Sequence, residues 1–334
     1  MMPEQEKNRC SNIELLRIVA MFFILLGHSH QTTHEMSNYF DVILRCITVP
    51  AVGIFVAISG WFGIRFKKNG VAKYIFQCFF ILWAIYGIVI ALNIAPFDLE
   101  GIKISLSFYE GYWFIMGYLG LYIFSPILNT FIDNASKKEY QIVLLSYFLF
   151  QSYFSWLSAW YNYYGGYSIV LFGGIYLSAA YLRKYPVRWI HDNAPSLLVG
   201  TIFLMSLIAY VSISELGHAA RQIRDDNPLV IMTSILMVLC FNKLKFHSGI
   251  VNWLAASCFA VYLIHFNPFV YPYFMQLMHF IYIHYDGVGY VFVLLFALSL
   301  VYIVCTLFDQ IRILAWNCLN TLSHKFYREE LHSR

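Results

Sequence analysis

The stretch NIELLRIVAMFFILLGHSH, residues 12–30, decides how this chain folds, because it is an apolar run that also carries ionisable side chains. Most of its residues are Leu, Ile, Val, Met or Phe, and the ionisable exceptions are Glu14, Arg17, His28 and His30. An ionisable group in the hydrocarbon of a membrane is costly, so each of these side chains requires a physical reason. The stretch therefore predicts a transmembrane helix with an ion-paired or functional face.

Two of these side chains share one helical face. Arg17 and His28 are 11 residues apart. At 3.6 residues per turn that spacing returns to nearly the same face, with a rise of about 16 Å. Glu14 precedes Arg17 at the i, i+3 spacing of a helical ion pair, so neutralisation within the helix also explains Arg17. Ion pairing with Glu14 does not explain His28. His30 is expected on the opposite side of the helix, at the membrane edge.

Composition indicates a polytopic membrane protein. Of the 334 residues, 60% are hydrophobic and 12% are charged, which is far from the usual balance of a soluble domain. Runs long enough to cross about 30 Å of hydrocarbon predict an all-α fold with about ten transmembrane helices. They lie near residues 12–30, 42–64, 73–95, 112–131, 140–158, 167–182, 196–213, 229–242, 250–274 and 287–309. The sixth and eighth runs are short enough to be tilted or re-entrant.

The distribution of charge predicts the orientation in the membrane. Most of the 22 Lys and Arg residues fall in alternate loops, so the positive-inside rule places both termini in the cytoplasm. No cleavage site follows the first apolar run, so we expect it to remain in the mature protein. We expect one membrane-embedded domain over residues 1–334, with short cytoplasmic tails at 1–11 and 310–334. In this orientation Arg17 lies toward the cytoplasm, and His28 and His265 lie at a similar depth near the outside.

Some classes of function are disfavoured by the same composition. The seven cysteines are odd in number and lie mostly within apolar runs, which argues against a disulfide framework or a metal cluster. The net charge of +4 comes from loop residues, without a basic face or a nucleic-acid-binding motif. We therefore expect neither a metal ion nor a nucleic-acid partner.

Motifs follow one another along the chain in a recognisable order. They are Leu16-Arg17-Ile18-Val19 with His28, then Phe55-Val56-Ala57-Ile58-Ser59-Gly60-Trp61, then Trp113-Phe114 with Tyr122 and Pro126, and finally Ser257, Tyr262, Leu263 and His265. Together they resemble acyltransferase family 3, the integral-membrane acyltransferases that modify surface polysaccharides, lipopolysaccharide and peptidoglycan. The resemblance covers essentially the whole chain, and the arginine-to-histidine spacing of the first motif is its most specific element. The chain departs from the family after Ser59-Gly60, where lysines stand among the positions at which relatives usually carry arginines.

The resemblance implies a bacterial inner-membrane O-acyltransferase. The donor would be cytoplasmic acyl-coenzyme A, in the simplest case acetyl-coenzyme A, and the acceptor a hydroxyl of a glycan or glycolipid of the cell envelope. A transporter or flippase of a glycan precursor or acyl carrier is the alternative, because charges near the membrane midplane and broken helices are expected there too. A chain that carries acyl groups across the membrane without choosing the final acceptor is a further possibility.

The resemblance also implies catalytic and donor-binding roles for particular residues. His28 is the expected general base, since an imidazole titrates near neutral pH and can accept the proton of a sugar hydroxyl. Arg17 either holds a negatively charged part of the donor or anchors the helix through Glu14. Donor binding is assigned to Ser59, Gly60, Arg65 and Lys73, where Gly60 permits close backbone approach. Positive-inside topology alone also explains the basic residues of this set.

Acceptor binding is assigned to aromatic and imidazole side chains. Trp113, Trp160 and His265 are the candidates, with His265 also considered as a residue that supports His28. Trp160 belongs to an aromatic segment, residues 153–167, for which an interfacial aromatic belt is the simpler explanation. Stacking of sugar rings on these aromatic faces is the functional alternative.

Overall fold

The fold is described from a computed structural model, which covers residues 10–29, 39–106, 112–158, 168–216 and 223–332. These residues form helices and no strand. The helices are α1 Ser11–Ser29, α2 Tyr39–Thr48, α3 Ala51–Phe62, α4 Lys68–Ala91, α5 Leu99–Leu106, α6 Trp113–Asn134, α7 Lys137–Phe150, α8 Ile169–Lys184, α9 Arg188–Asp192, α10 Ala194–Leu216, α11 Pro228–Asn242, α12 Gly249–Ala256, α13 Cys258–His265, α14 Tyr271–His284 and α15 Gly287–His332. A π-helix, Gln151–Leu157, continues α7.

Several helices begin where the sequence supplies a cap. Ser136 and Glu139 form a capping box at the start of α7, so each side chain satisfies a backbone N–H that the first turn leaves free. The Ser168 side chain accepts from Leu171 N at the start of α8. At α11 the Asn227 side chain accepts from the N–H of Leu229, and Pro228 occupies the first turn, where it lacks only an N–H that has no helical partner.

Helix α1 lies at the centre of the bundle. It contacts α2, α3, α11, α12, α13, α14 and α15. The α12–α13 pair runs parallel to it, because Ser11 Oγ donates to Asn252 Oδ1 at one end, 2.9 Å away, and the imidazoles of His28 and His265 meet at the other. Helix α3 runs in the reverse direction, since it begins after Thr48, whose hydroxyl lies close to Gly27. The ionisable first helix is therefore enclosed by protein on most of its surface.

Two hydrophobic clusters pack on opposite sides of α1. Met21 and Leu25 join the first cluster, with buried side chains of α4, α6, α13, α14 and α15. Leu16 and Ala20 join the second, with buried side chains of α3, α6, α8 and α11. Since the two clusters meet at α1, a cavity between them is lined by this helix.

The outer surface of the bundle is apolar. Large side chains such as Phe203, Phe292 and Phe296 are 67%, 71% and 72% exposed. A soluble monomer rarely exposes so many large apolar side chains to water. A surface of this kind is typical of a protein surrounded by lipid tails. Within the described ranges, six segments are long and apolar enough to span a membrane. The chain is an all-helical, polytopic membrane protein.

Each predicted run contains helix, but the division into helices differs from the prediction in informative places. The single helix predicted over 42–64 is divided into α2 and α3 by Val49-Pro50. The prediction of one helix over 250–274 is wrong, because the chain breaks at Ser257 and again after His265, and α14 begins at Tyr271 with Pro272 in its first turn. The short helix α5 was not predicted, and α15 continues through the predicted tail to His332. The number of ten membrane crossings stays a prediction.

Candidate functional site

A cavity of about 600 Å³ opens beside α1 and is lined by two of the ionisable residues of this helix. Arg17 and His28 both line it, separated along α1 by a rise of about 16 Å. Its walls come from α1, α2, α3, α4, α6, α12, α13 and the segment just before α11. The cavity is therefore long enough to bring together groups that enter from opposite ends of the bundle. In the part of the chain that the structure describes, no three His, Cys, Asp or Glu side chains group so as to hold a metal ion.

His28 and His265 form a hydrogen-bonded pair at one end of this cavity. Nδ1 of His28 lies 2.9 Å from Nε2 of His265, and Nδ1 of His265 lies 2.7 Å from the carbonyl oxygen of Val261. His265 is 1% exposed, so water does not compete for its nitrogens. The sequence prediction that the two imidazoles lie at one depth is confirmed, and the contact is direct.

The carbonyl oxygen of Val261 fixes the tautomers of the two imidazoles when both are neutral. A carbonyl oxygen can only accept, so Nδ1 of His265 carries a hydrogen and donates to Val261. Its Nε2 then holds a lone pair and accepts the Nδ1–H of His28. The lone pair of His28 therefore lies on Nε2, the nitrogen that this chain of hydrogen bonds leaves free. That is the protonation state a base requires.

Aromatic rings hold the imidazole of His28 in place. Its ring centroid lies 4.6 Å from that of Phe266 and 6.4 Å from that of Tyr271, which meets it edge-on. Both rings follow the break after α13, so the end of that helix at His265 allows the chain to turn back over His28. The imidazole thus has apolar walls and, in the part of the chain that the structure describes, one hydrogen-bond partner.

Arg17 makes only a loose ion pair. Its Nε lies 4.0 Å from Oε2 of Glu14, and its side chain is 41% exposed to the cavity while that of Glu14 is 14% exposed. Nε of Arg17 is buried and has no hydrogen-bond acceptor among the described residues. The predicted i, i+3 pair is therefore present, but it leaves part of the guanidinium available to a ligand.

A basic loop, residues 63–67, lies at the opposite end of the bundle from His28 and is held by hydrogen bonds to its backbone. This end of the bundle is called the basic end. The hydroxyl of Tyr176 accepts from Ile64 N and donates to Asn129 Oδ1, while Asn129 Nδ2 donates to Ile64 O. The hydroxyl of Tyr122 accepts from Lys67 N. Side chains of α6 and α8 thus satisfy the backbone of this short loop, which Gly63 enters at a φ of 79°.

The predicted donor-binding residues fall into two groups. Ser59 lines the cavity, and its hydroxyl lies 3.0 Å from that of Tyr118. Gly60 packs against α8 instead, because an added Cβ would lie 2.3 Å from the backbone oxygen of Tyr176. The close approach at Gly60 is therefore to a neighbouring helix and not to a ligand. Arg65 and Lys73 are both exposed near the basic end.

The predicted acceptor-binding residues also separate. Trp113 lines the cavity with its neighbour Phe114, whereas His265 contacts His28 from behind the cavity wall. Trp160 lies outside the described residues, as do residues 159–167 of the aromatic segment. The structure therefore brings together His28, His265 and Trp113 around one end of the cavity.

Several polar residues of the cavity wall were not predicted from the sequence. Tyr74 and Gln77 of α4 and Arg45 of α2 line it, as does Asp225 in the segment before α11. A glutamine in an apolar run was the available signal, because a polar group in hydrocarbon needs a reason just as a charged one does. Burial, and then the neighbouring Asp226 carboxylate, raise the pKa of Asp225 from 3.8 to about 7.

The fold and the site define a class: an all-helical membrane protein with a paired histidine at one end of an internal cavity and a basic loop at the other. Residues 11–309 match the family model Acyl_transf_3, described as an acyltransferase domain. The chain belongs to this family, and it is a membrane acyltransferase. Searches of curated proteins and of solved structures found no match.

Proposed function

We propose that this acyltransferase moves an acetyl or similar short acyl group from cytoplasmic acyl-coenzyme A to a hydroxyl of an envelope glycan or glycolipid. His28 acts as the general base. The observation that carries the proposal is that Arg17 and His28 line the same cavity. His265 is hydrogen-bonded to Nδ1 of His28, so the lone pair of His28 lies on Nε2. A donor entering beside Arg17 and an acceptor entering beside His28 meet in one enclosed space.

The chemistry assigned to His28 is proton transfer. Nε2 of His28 accepts the proton of the acceptor hydroxyl as that oxygen attacks the thioester carbonyl carbon. The carbon–sulfur bond then breaks, coenzyme A leaves as a thiolate, and the imidazolium returns the proton to that sulfur. The products are the acyl ester and free coenzyme A. His265 accepts the Nδ1–H of His28 throughout, so it orients the ring and stabilises the imidazolium that forms.

The donor is recognised at the basic end. Acyl-coenzyme A carries several phosphate charges, and Arg65, Lys67 and Lys73 offer exposed cations beside the ordered loop. The loop backbone is already held by Tyr122, whose hydroxyl lies 3.2 Å from the carbonyl oxygen of Arg65. A loop ordered in advance loses less entropy when it binds an anion. From this end the pantetheine arm passes Arg17 and Ser59 on its way toward His28.

The acceptor enters at the other end, which carries polar and aromatic groups. Arg45 and Asp225 line the cavity there and supply hydrogen-bond donors and acceptors suited to sugar hydroxyls. Trp113 offers an aromatic face for a sugar ring. These features favour a glycan acceptor over a purely lipidic one.

The proposed orientation places the basic end in the cytoplasm of a bacterial inner membrane. It follows from the loop charges and includes ten crossings, cytoplasmic termini and one membrane domain over residues 1–334. A reporter that is active only in the cytoplasm, fused after the last residue, should be active. An inactive cytoplasmic reporter together with an active external one would contradict the ten crossings with cytoplasmic termini and every depth that follows from them.

Acetyl transfer by the purified protein tests the proposed function. The protein in lipid nanodiscs is incubated with acetyl-labelled acetyl-coenzyme A and a panel of envelope glycolipids, and both labelled glycolipid and free coenzyme A thiol are measured. We expect the two products in equal amounts with at least one acceptor. A protein that moves a glycolipid between the leaflets of a vesicle, without labelling it or releasing thiol, is a transporter and contradicts the proposal.

A further inference from the structure

Gln77 is a buried residue of the cavity wall whose amide nitrogen has no hydrogen-bond partner among the described residues. Its side chain is 9% exposed, it lines the cavity, and its Nε2 has no hydrogen-bond acceptor among the described residues. Leaving a buried amide donor unsatisfied is costly in a folded protein. The arrangement is explained if a ligand supplies the missing acceptor.

The depth of Gln77 in the bundle points to the part of the ligand that it meets. The ring of Tyr74 on α4 stacks on that of Phe259 on α13, with centroids 5.0 Å apart. Both helices run from the basic end toward His28, so Gln77 is level with Tyr262, three residues further along each helix. His265 lies three residues beyond Tyr262, an axial rise of about 4.5 Å. Along the bundle axis, the level of Gln77 is therefore about one helical turn from that of the histidine pair.

The surroundings of Gln77 strengthen any hydrogen bond it makes. Its neighbour Cys78 is fully buried, and Ile81 and Leu82, one turn further along α4, are 0% and 1% exposed. A hydrogen bond made by an amide beside such apolar side chains is stronger than the same bond in water, because the local dielectric is low. This is the setting in which a fixed donor stabilises an oxygen that gains negative charge during acyl transfer.

We propose that the Gln77 amide donates a hydrogen bond to the acyl carbonyl oxygen of the donor thioester. This inference rests on the proposed function and names a binding contact within it. When the acceptor oxygen attacks the carbonyl carbon, the electron pair of the C=O bond moves to the oxygen that Gln77 holds. The same pair re-forms the C=O bond as the thiolate leaves. Arg17 lies closer to the basic end, too far along the bundle to bind the same oxygen. Its guanidinium is assigned to the pantetheine arm of the donor.

A pair of isosteric ligands tests the contact without turnover. Binding of acetyl-coenzyme A is compared with that of S-isopropyl-coenzyme A, in which a methyl group replaces the carbonyl oxygen, by calorimetry in nanodiscs without acceptor. The wild-type protein should prefer acetyl-coenzyme A by a factor of about three to ten, the worth of one net hydrogen bond. Gln77→Leu should bind the two ligands about equally, with unchanged affinity for S-isopropyl-coenzyme A.

Matched variants separate this contact from a structural role. Gln141→Leu changes an exposed glutamine on α7 and should keep the wild-type preference. Gln77→Met keeps the length of the side chain without the amide, and it replaces Gln77→Leu if the latter does not fold. With the acceptor present, either variant at position 77 should lower turnover at saturating donor by roughly tenfold or more.

Each outcome decides between the inference and the function on which it rests. If variants at position 77 retain the wild-type preference for acetyl-coenzyme A, the inference fails and the proposed function stands. If the wild-type protein binds neither ligand, the donor assignment fails and the inference fails with it. Only a preference that is present in the wild type and lost at position 77 supports the contact.

Discussion

Nδ1 of His28 lies 2.9 Å from Nε2 of His265, and this contact joins the first transmembrane helix to a helix more than 200 residues later in the chain. The histidine of α13 is itself held by its own helix through Val261. A base whose partner is anchored in this way has its lone pair directed before any substrate binds. Pre-organisation of this kind is what a proton transfer requires from a protein.

Replacement of His28 is the most direct test of the proposed base. His28→Ala should leave folding and donor binding nearly unchanged and lower turnover about 100-fold or more, as expected when a positioned base is lost. The measurement is acetyl transfer at saturating donor by purified, folded protein. His284→Ala, which changes an exposed histidine on α14, is the control and should be close to wild type. Near-normal turnover in His28→Ala would remove the proposed base.

His265 should act through His28 and not through the substrates. His265→Leu removes the acceptor of the Nδ1–H of His28, so turnover should fall about tenfold or more while the KM values of donor and acceptor stay the same. His265→Gln offers an amide oxygen in its place and should recover part of the loss. A raised acceptor KM with unchanged turnover would instead return His265 to the substrate-binding role considered from the sequence.

The relative positions of the site residues that lie on regular helices could be predicted from the sequence. The spacing of Arg17 and His28 on one face follows from helix geometry, and their common cavity agrees with it. The approach of His265 to His28 followed from counting depth in the predicted membrane. These inferences succeed because a transmembrane helix has a fixed rise per residue and a fixed solvent boundary.

Contacts that depend on which faces of two helices pack together could not be predicted from the sequence. Nothing in the local pattern says that Gly60 packs on the backbone of Tyr176, so a glycine next to Ser59 was assigned to ligand binding. The unpartnered amide of Gln77 was missed for the same reason, because only the packed bundle shows which face of α4 borders the cavity. The break at Ser257 also depends on packing, since no proline or glycine marks it.

The Arg17–Glu14 ion pair of α1 predicts that replacing these two residues will change stability and activity in different ways. Arg17→Ala leaves the mostly buried carboxylate of Glu14 without its partner, so unfolding should become easier by roughly 1 kcal/mol, a small value because the pair is loose and partly exposed. Arg17→Ala combined with Glu14→Gln should restore the melting temperature but not acyl transfer. Recovery of activity in the double variant would show that Arg17 serves only to neutralise Glu14.

The basic end predicts a salt-dependent donor affinity. Arg65→Ala combined with Lys73→Ala should raise the KM for acyl-coenzyme A about tenfold with little change in turnover at saturation, since exposed cations act through phosphate charge. Added salt should raise the wild-type KM more than that of the variant. Lys137→Ala combined with Lys138→Ala, two exposed lysines at the start of α7, is the matched control. Equal KM values in both double variants would leave Arg65 and Lys73 with a purely topological role.

Asp225 predicts a pH dependence of stability. Burial and the Asp226 carboxylate raise its pKa from 3.8 to about 7, so the folded protein binds a proton there that the unfolded chain releases at lower pH. The stabilisation from the protonated form is fully present below the unfolded value and is lost as the pH rises through about 7. Asp225→Asn cannot lose a proton, so its advantage in melting temperature over the wild type should grow between pH 4 and 7 and then level off.

The measurement for Asp225 is thermal unfolding of both proteins in detergent across that range. Asp286→Asn, which replaces an exposed carboxylate, should follow the wild-type curve and serves as the control. Parallel curves for wild type and Asp225→Asn would show that Asp225 titrates alike in the folded and unfolded chains, and the carboxylate at the mouth of the cavity would then be an ordinary solvated one. A widening gap would show that the folded chain holds the proton of Asp225 to a higher pH than the unfolded chain does, as burial of this carboxyl beside the Asp226 carboxylate predicts.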